Sequence, residues 1–445
     1  MPLRKIALTL PFGMFLILYG AAIGHGFISD DFAWILDSRV QHVHDIASLF
    51  FKSSGFYRPV VGLTFALDYA MFGVHPLGYG LTNLLLAVGC ALLLFLVARE
   101  LGLPSAGAAL AAALWLLNTH GINTAIIWMS GRTSLLLTLG SLAAVLLLLR
   151  GHPFLSLLPA AVALFSKEEA FLLPVILWLW WIVFRGSELP RRRVLVSWWI
   201  CALLLIGAYL VLRFQTGAMT PWTAPPYYRF TANPHTIARN IFEYADRAMT
   251  FPAAAAILAW ILLRPRSLDP PPKAVLGCGA AWIAGGYGLT VFLPVRSSLY
   301  ACFPCAGACL IAADFASRCW TGSTPVRKNL AAVAAIVVTF AMTPVYILRN
   351  RTTIANAEFS SWALRKLASS TTDLPSGSAV VVLDDRHKKP NIETAFNTAL
   401  DDAFELTSGR RLLFWVEPEL QYARLAGMRP PCASCAAATV DLRRQ

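Results

Sequence analysis

Residues 78–98 read GYGLTNLLLAVGCALLLFLVA, twenty-one positions without a single Asp, Glu, Lys or Arg. About 20 apolar residues, each advancing ~1.5 Å along a helix, cross the ~30 Å hydrocarbon core of a bilayer. Comparable runs recur near 6–26, 105–118, 124–148, 153–166, 169–184, 194–213, 250–263, 274–294, 298–317 and 329–348, so eleven spans are expected. The chain is 57% hydrophobic and 14% charged, whereas soluble domains carry roughly a quarter charged residues. The strict alternation of a membrane β-barrel is absent. The reading is a polytopic α-helical membrane protein. Its first run follows Arg4 and Lys5 and precedes no small-x-small cleavage site, so it is read as a retained span.

The net charge of +13 lies in short loops and forms no basic face with interleaved aromatics, which excludes nucleic acid as the partner. Segments 184–193 (FRGSELPRRR), 264–273 (RPRSLDPPPK) and 317–329 (SRCWTGSTPVRKN) are basic and free of long apolar runs. The positive-inside rule makes them cytoplasmic, together with the N-terminus, and an odd number of spans leaves the C-terminus outside. Residues 27–77, 119–123, 167–168, 214–249 and 295–297 then face the extracytoplasmic side. Within the first of these, 37–51 (DSRVQHVHDIASLFF) and 57–73 (YRPVVGLTFALDYAMFG) show helical apolar spacing and read as interfacial helices. The aromatic, proline-rich TAPPYYRF at 223–230 suits an interfacial loop.

From about Arg349 the pattern changes. SAVVVLDD (378–385) and RRLLFWVEP (410–418) read as strands, and NIETAFNTALDDAFELT (391–407) as a helix. A transmembrane region over 1–348 and a small α/β-type appendage over 349–445 are expected. Asp384 and Asp385 fit a strand-end turn better than a metal site. His42, His44 and Asp45 fit a solvated helix face. Cys302, Cys305 and Cys309 share one helix face and read as small packing residues. Cys432 and Cys435, in PCASC, are spaced for a disulfide if the tail lies outside.

Charges at the edge of spans are costly and mark function by default. The conspicuous ones fall on the outer side: Asp30 and Asp31 in SDDFAWI (29–35), Arg58, Arg132 in WMSGR (128–132), Lys167, Glu168 and Glu169 in SKEEA (166–170), and Arg296 with Tyr300. Arginine forks and an ammonium suit a phosphate, and a neighbouring carboxylate suits proton removal from a hydroxyl. Each also has an ordinary reading as a solvated loop, an interfacial anchor or a helix start.

The order and wording of these segments resemble the GT-C glycosyltransferases, in particular the transmembrane part of the TPR-containing protein O-mannosyltransferases. An acidic pair follows the first span, as SDDFAWI does here. Residues 57–102 form the fullest match, and IIWMSGRTSLLLTLGSLAA (126–144), ALFSKEEAFLLPVILWL (163–179) and VRSSLYACFPCAGACL (295–310) follow in order. The chain departs at NTHGINTAIIW (118–128), where His120 sits one place off the family's His-Pro-x-His-x-Glu and Thr124 stands where the acid would be. No TPR array follows the last span.

The resemblance implies an integral-membrane hexosyltransferase, mannose-like in its sugar, using a polyprenyl-phosphate donor on the extracytoplasmic side of a bacterial inner membrane, with inversion. The acceptor is a hydroxyl on protein, lipid or glycan. In this reading Asp30 or Asp31 is the base, Arg58, Arg132, Lys167 and Arg296 hold the donor phosphate, and Glu168 and Tyr300 orient them. No cofactor is required, and a divalent cation held by the carboxylates and the phosphate is left open. A transporter or flippase would instead show paired inverted repeats, and none is evident. A non-catalytic relative that lost the His and Glu is the third reading.

Overall fold

The structure, a computed structural model, describes residues 2–40, 42–52, 55–185, 191–220, 222–418 and 436–443. Cys432 and Cys435 lie outside the described residues. The fold is the expected polytopic helical bundle with a small α/β appendage. Eight helices among the described residues are long and apolar enough to cross a membrane: Leu3–Gly20, Pro76–Glu100, Met129–Leu149, Arg192–Gln215, Pro234–Leu263, Lys273–Phe292, Ser298–Thr321 and Pro325–Ser370. A ninth arises if Ser105–Leu116 and Gly121–Ile127, bent by 66° at their junction, form one broken span.

The expected count of eleven is therefore not reached by length, because two of the expected spans form short helices. Pro153–Leu164 has 12 residues and Leu173–Arg185 has 13. At 1.5 Å per residue each covers only ~20 Å. Between them the chain makes a polar 3-10 turn, Glu168–Leu172, which carries part of the candidate site. The expected span at 250–263 extends backward to Pro234 through the polar stretch around Glu243.

Lipid supplies no hydrophobic driving force between helices, so close packing holds the bundle. Glycines make that packing possible at two crossings. A Cβ on Gly307 would lie 2.6 Å from the Gly279 carbonyl oxygen, and one on Gly140 would lie 2.6 Å from that of Pro159.

The two ends of the bundle differ in charge. At one end Arg4 donates to Asn329 (3.1 Å), Arg150 pairs with Glu100 (2.8 Å), Arg318 reaches the Asp269 carbonyl (2.6 Å) and Arg327 that of Arg264 (2.7 Å). At the other end the long loops are bonded to one another. Val60 N–H donates to the Phe165 carbonyl (3.2 Å), Met219 to Gly55 (2.7 Å), Thr231 to Phe292 (2.8 Å) and Val295 to Tyr227 (3.0 Å).

Pro325–Ser370 is one helix of 46 residues, ~69 Å long, more than twice the hydrocarbon thickness. It runs unbroken past residue 348 and delivers the appendage to the loop end. There β1 (Ala379–Leu383), β2 (Leu413–Glu417) and β3 (Ala438–Asp441) form a parallel sheet ordered β2-β1-β3. Central β1 buries Val380, Val381 and Val382, as a strand covered on both faces requires. The helix expected over 391–407 is two, Ile392–Phe396 and Leu400–Ser408, broken at Asn397 (φ 50°). Asp384 sits in a strand-end turn, accepting from Ile392 N–H at 2.9 Å. The appendage shares a core with the long loop after the first helix: Phe27, Phe32, Ile35, Val61 and Phe65 bury against a cluster that includes Phe359, Phe396 and Phe404.

Candidate functional site

The acidic pair lies where this shared core meets the bundle. Ser29 adopts a left-handed backbone (φ 51°), held by its N–H bond to the Ala395 carbonyl (2.7 Å). The turn sends the two aspartates to different surroundings. Asp31 is fully buried. Its Oδ1 accepts from Ser130 N–H (2.7 Å) and Ser130 Oγ–H (2.6 Å), and its Oδ2 from Ile28 N–H (3.0 Å). Burial pushes the Asp31 carboxyl up to about 7, against these donors, which favour the charged form. Asp30 is half-buried and accepts one hydrogen bond, from Ser29 Oγ at 3.3 Å. Burial raises its pKa as well, while Ser29 and the positive charge of Arg58 pull it down.

Arg58 precedes the Pro59–Phe72 helix and meets Glu168 of the SKEEA turn in a forked contact, Nε at 3.1 Å and NH2 at 2.7 Å from Oε2. Arg213, at the end of the Arg192–Gln215 helix, approaches the other oxygen of Glu168 at 3.4 Å and donates to Tyr209 Oη at 2.8 Å. Burial alone would raise Glu168, but the two guanidiniums outweigh it and hold its carboxyl down to about 2. Glu168 in turn keeps Arg58 protonated: burial would lower the guanidinium's pKa, and the carboxylate raises it. Beside this pair Lys167 is buried between Glu169 (2.8 Å) and Ser134 Oγ (2.8 Å). Its ammonium lies 5.1 Å from the centre of the Tyr300 ring. Tyr228 is within electrostatic reach of Asp30, Arg58 and Glu168, and burial pushes its hydroxyl up to about 12.

Two expected phosphate ligands are engaged elsewhere. Arg132 is fully buried. It pairs with Asp68 at 2.6 Å, donates to Asn83 Oδ1 (3.1 Å) and the Tyr79 carbonyl (3.2 Å), and packs 4.1 Å from the Phe65 ring centre. Asn83 donates to the carbonyls of Ala125, Trp128 and Met129 at 3.1–3.2 Å. In this structure the WMSGR turn is a crosslink within the bundle, and no face of Arg132 meets solvent. Gly131 is required there, since a Cβ would lie 2.6 Å from Ala125 Cα. Arg296 pairs with Glu243, which also binds Arg239 (2.8 Å) and Arg247 (3.1 Å). This cluster joins the rest through Tyr244, whose ring lies 6.0 Å from that of Tyr300.

The fold thus gathers Asp30, Arg58, Lys167, Glu168 and Tyr300, sets Arg296 at the rim and places Arg132 in the core. Sequence reasoning missed Arg213, Tyr228 and Glu243. Arg213 was legible as a cation at the edge of a span, whereas Glu243 fell in the expected loop 214–249 and enters a span only in the helix Pro234–Leu263. Tyr228 had no signal beyond an aromatic loop.

For a divalent cation the donor set does not fit a protein-held centre. Both Asp31 oxygens are occupied by N–H and O–H donors, and no group of three His, Cys, Asp or Glu side chains is assembled for a metal among the described residues.

No family model matches the chain. It is 34% identical, over 174 residues, to Protein O-mannosyl-transferase Tmtc1 of Drosophila melanogaster, covering 35% of this chain. The chain spans about a fifth of that relative's length, 20%. The fold is similar to the Archaeoglobus fulgidus oligosaccharyltransferase in its apo form, with a TM-score of 0.50, 12% identity, 92% of this chain and 64% of that one. A further likeness is to ArnT from Cupriavidus metallidurans bound to undecaprenyl phosphate, with a TM-score of 0.48, 12% identity, 98% of this chain and 89% of that one. These are glycosyltransferases of the GT-C type; the chain resembles the oligosaccharyltransferase in fold and Tmtc1 in sequence over the matched 174 residues.

Proposed function

We propose that the chain is a membrane glycosyltransferase that moves a hexose, mannose-like in type, from a polyprenyl-phosphate donor to an acceptor hydroxyl on a protein, lipid or glycan. The observation that carries this reading is the state of Asp30. It is a carboxylate with a single hydroxyl donor, within reach of a guanidinium whose charge is secured by Glu168. The sequence likeness to a protein O-mannosyl-transferase supports the same class.

The reaction is a single displacement. Asp30 takes the acceptor proton, the acceptor oxygen bonds to the anomeric carbon, and the bond from that carbon to the phosphate oxygen breaks. The polyprenyl phosphate leaves with the electron pair, and the anomeric centre inverts. Arg58, Arg213 and Lys167 offset the charge that develops on the departing phosphate. Glu168 and Glu169 hold these cations in place. Tyr228 and Tyr300 line the site and offer hydroxyls to the sugar. Asp31, with both oxygens occupied, holds the loop to the WMSGR turn and is not the base. The lipid tail runs along the Arg192–Gln215 helix, where Val211 (56% exposed) and Phe214 (64%) flank Arg213. The basic end of the bundle faces the cytoplasm of a bacterial inner membrane, so the N-terminus is inside and the site and appendage are outside.

Sugar transfer from polyprenyl-phosphate mannose, measured with the full chain in membranes, tests this assignment. Asp30→Asn should lower the rate by about 10²–10⁴-fold, the usual contribution of a general base, with normal insertion. Wild-type turnover by Asp30→Asn would overturn it.

A further inference from the structure

Beside the reaction cluster, and sharing Arg58 with it, lies a cavity of about 610 Å³ whose other lining residues the mechanism does not use. Trp34, Asp37, Arg39, Lys52, Phe56 and Arg58 line it. A volume in this range suits a small organic ligand. The wall carries three cations and one acid among its described residues. The cations differ in their ties. Arg58 is forked to Glu168. Arg39 is held rigidly, its NH2 on the Leu406 carbonyl (3.3 Å) and its guanidinium 5.1 Å from the Tyr69 ring centre. Lys52 is exposed and makes no ion pair among the described residues.

The cavity shares its wall with the reaction cluster. Phe56 packs under the Arg58 guanidinium at 4.2 Å and edge-on to Tyr228 with 5.2 Å between ring centres. The Asp31–Asp37 helix links the two places: Asp30 stands at its start and Trp34 and Asp37 on its later turn. Seven residues of helix separate Asp30 from Asp37, ~10 Å at 1.5 Å per residue. That is far for one sugar ring and comfortable for two.

We infer that this cavity binds the acceptor, and that the acceptor is an anionic glycan of at least two sugar units whose carboxylate or phosphate lies against Lys52 and Arg39 while its hydroxyl is presented to Asp30. Aromatic Trp34 and Phe56 offer apolar surface to the sugar rings, and the fixed cations favour a negative group over a neutral one. Binding energy collected at this distance from the reacting hydroxyl positions it for attack. The inference rests on the transferase reading for its direction, though the cavity and its charge stand without it.

The test uses the full chain in lipid nanodiscs with three acceptors: a methyl disaccharide ending in glucuronate, its glucose counterpart, and an acidic serine-containing peptide. With polyprenyl-phosphate mannose as donor, the glucuronyl disaccharide should exceed the neutral one in kcat/KM by about tenfold. Lys52→Glu should erase that preference, while Lys52→Arg keeps it. Calorimetric titration of the glucuronyl disaccharide into Asp30→Asn protein gives an arm free of turnover, in which adding Lys52→Glu should weaken binding about tenfold. Equal use of the two disaccharides, preference for the peptide, or unchanged binding in the Lys52→Glu protein each overturns the inference. Binding that depends on Lys52 without transfer to any acceptor would overturn the transferase reading and leave the cavity assignment standing.

Discussion

Two arginine–carboxylate pairs in this molecule have the same chemistry and opposite settings. Arg132 and Asp68 meet at 2.6 Å with side-chain exposures of 0% and 1%, while Arg58 and Glu168 meet at 2.7 Å with 14% and 27%. The first is enclosed by Asn83, the Tyr79 carbonyl and Phe65. Its charges serve only each other, and it ties the WMSGR turn to the neighbouring helices. The second is open on one side, is joined by Arg213, and lies within reach of Asp30. A buried pair enclosed on every side is architecture, whereas a pair with an open face and an underused carboxylate beside it can act on a substrate. The two aspartates repeat the lesson one residue apart. Asp31 accepts three hydrogen bonds and is closed; Asp30 accepts one and is open.

The contrast can be broken at its strongest point. Arg132→Ala strands Asp68 as a lone buried charge and should cost about 3–5 kcal/mol, read as a fall in the thermal midpoint of the detergent-purified protein. Arg58→Ala leaves Glu168 paired with Arg213 and should cost clearly less in the same measurement while abolishing sugar transfer. Equal destabilisation by the two substitutions would erase the distinction. A second effect is expected at the latch: Ser130→Ala removes one donor to Asp31 and should cost about 2 kcal/mol, typical of a hydrogen bond to a charged group, again by thermal unfolding. Its transfer rate per folded molecule should stay within about twofold. Glu168→Gln keeps the shape at Arg58 and removes the charge, and should slow transfer about tenfold, ~1.4 kcal/mol in activation free energy, with the midpoint nearly unchanged.

The gentlest test is pH. Because burial raises the Asp30 carboxyl from the ordinary aspartate value, transfer should fall on acidification through a midpoint above that of a free aspartate, and this limb should vanish in Asp30→Asn. Asp31 acts on stability. Unfolded, it releases its proton near 3.8, and folded, it keeps it to about 7. The folded state binds the extra proton between these values, so its contribution is present below about 4 and is lost as pH rises toward 7. Unfolding midpoints of wild type and Asp31→Asn across that window should diverge as pH rises, with the variant falling less.

Much of the fold was legible because a bilayer imposes a length and a polarity on any segment that crosses it. The run at 78–98 became the Pro76–Glu100 helix. SAVVVLDD and RRLLFWVEP became neighbouring parallel strands with Val381 opposite Trp415. The errors fell where that constraint relaxes. The apolar runs at 153–166 and 169–184 met the composition of spans yet fold as helices of 12 and 13 residues around the SKEEA turn. At the site, the conspicuous charges were found by their cost at a membrane edge. Arg132 and Arg58 were indistinguishable by that criterion, since each is one arginine at the start of an apolar helix.

Hydropathy and charge are properties of short segments, and they already specify a helical membrane protein, its basic end, its small α/β tail and the acidic pair after the first span. Long-range packing sets which arginine is sealed and which is open, which aspartate is tied, and that Arg213 and Tyr228 join the site. Those outcomes depend on partners such as Asp68, Glu168 and Ser130, up to 110 residues away, brought into contact by packing that no local pattern records.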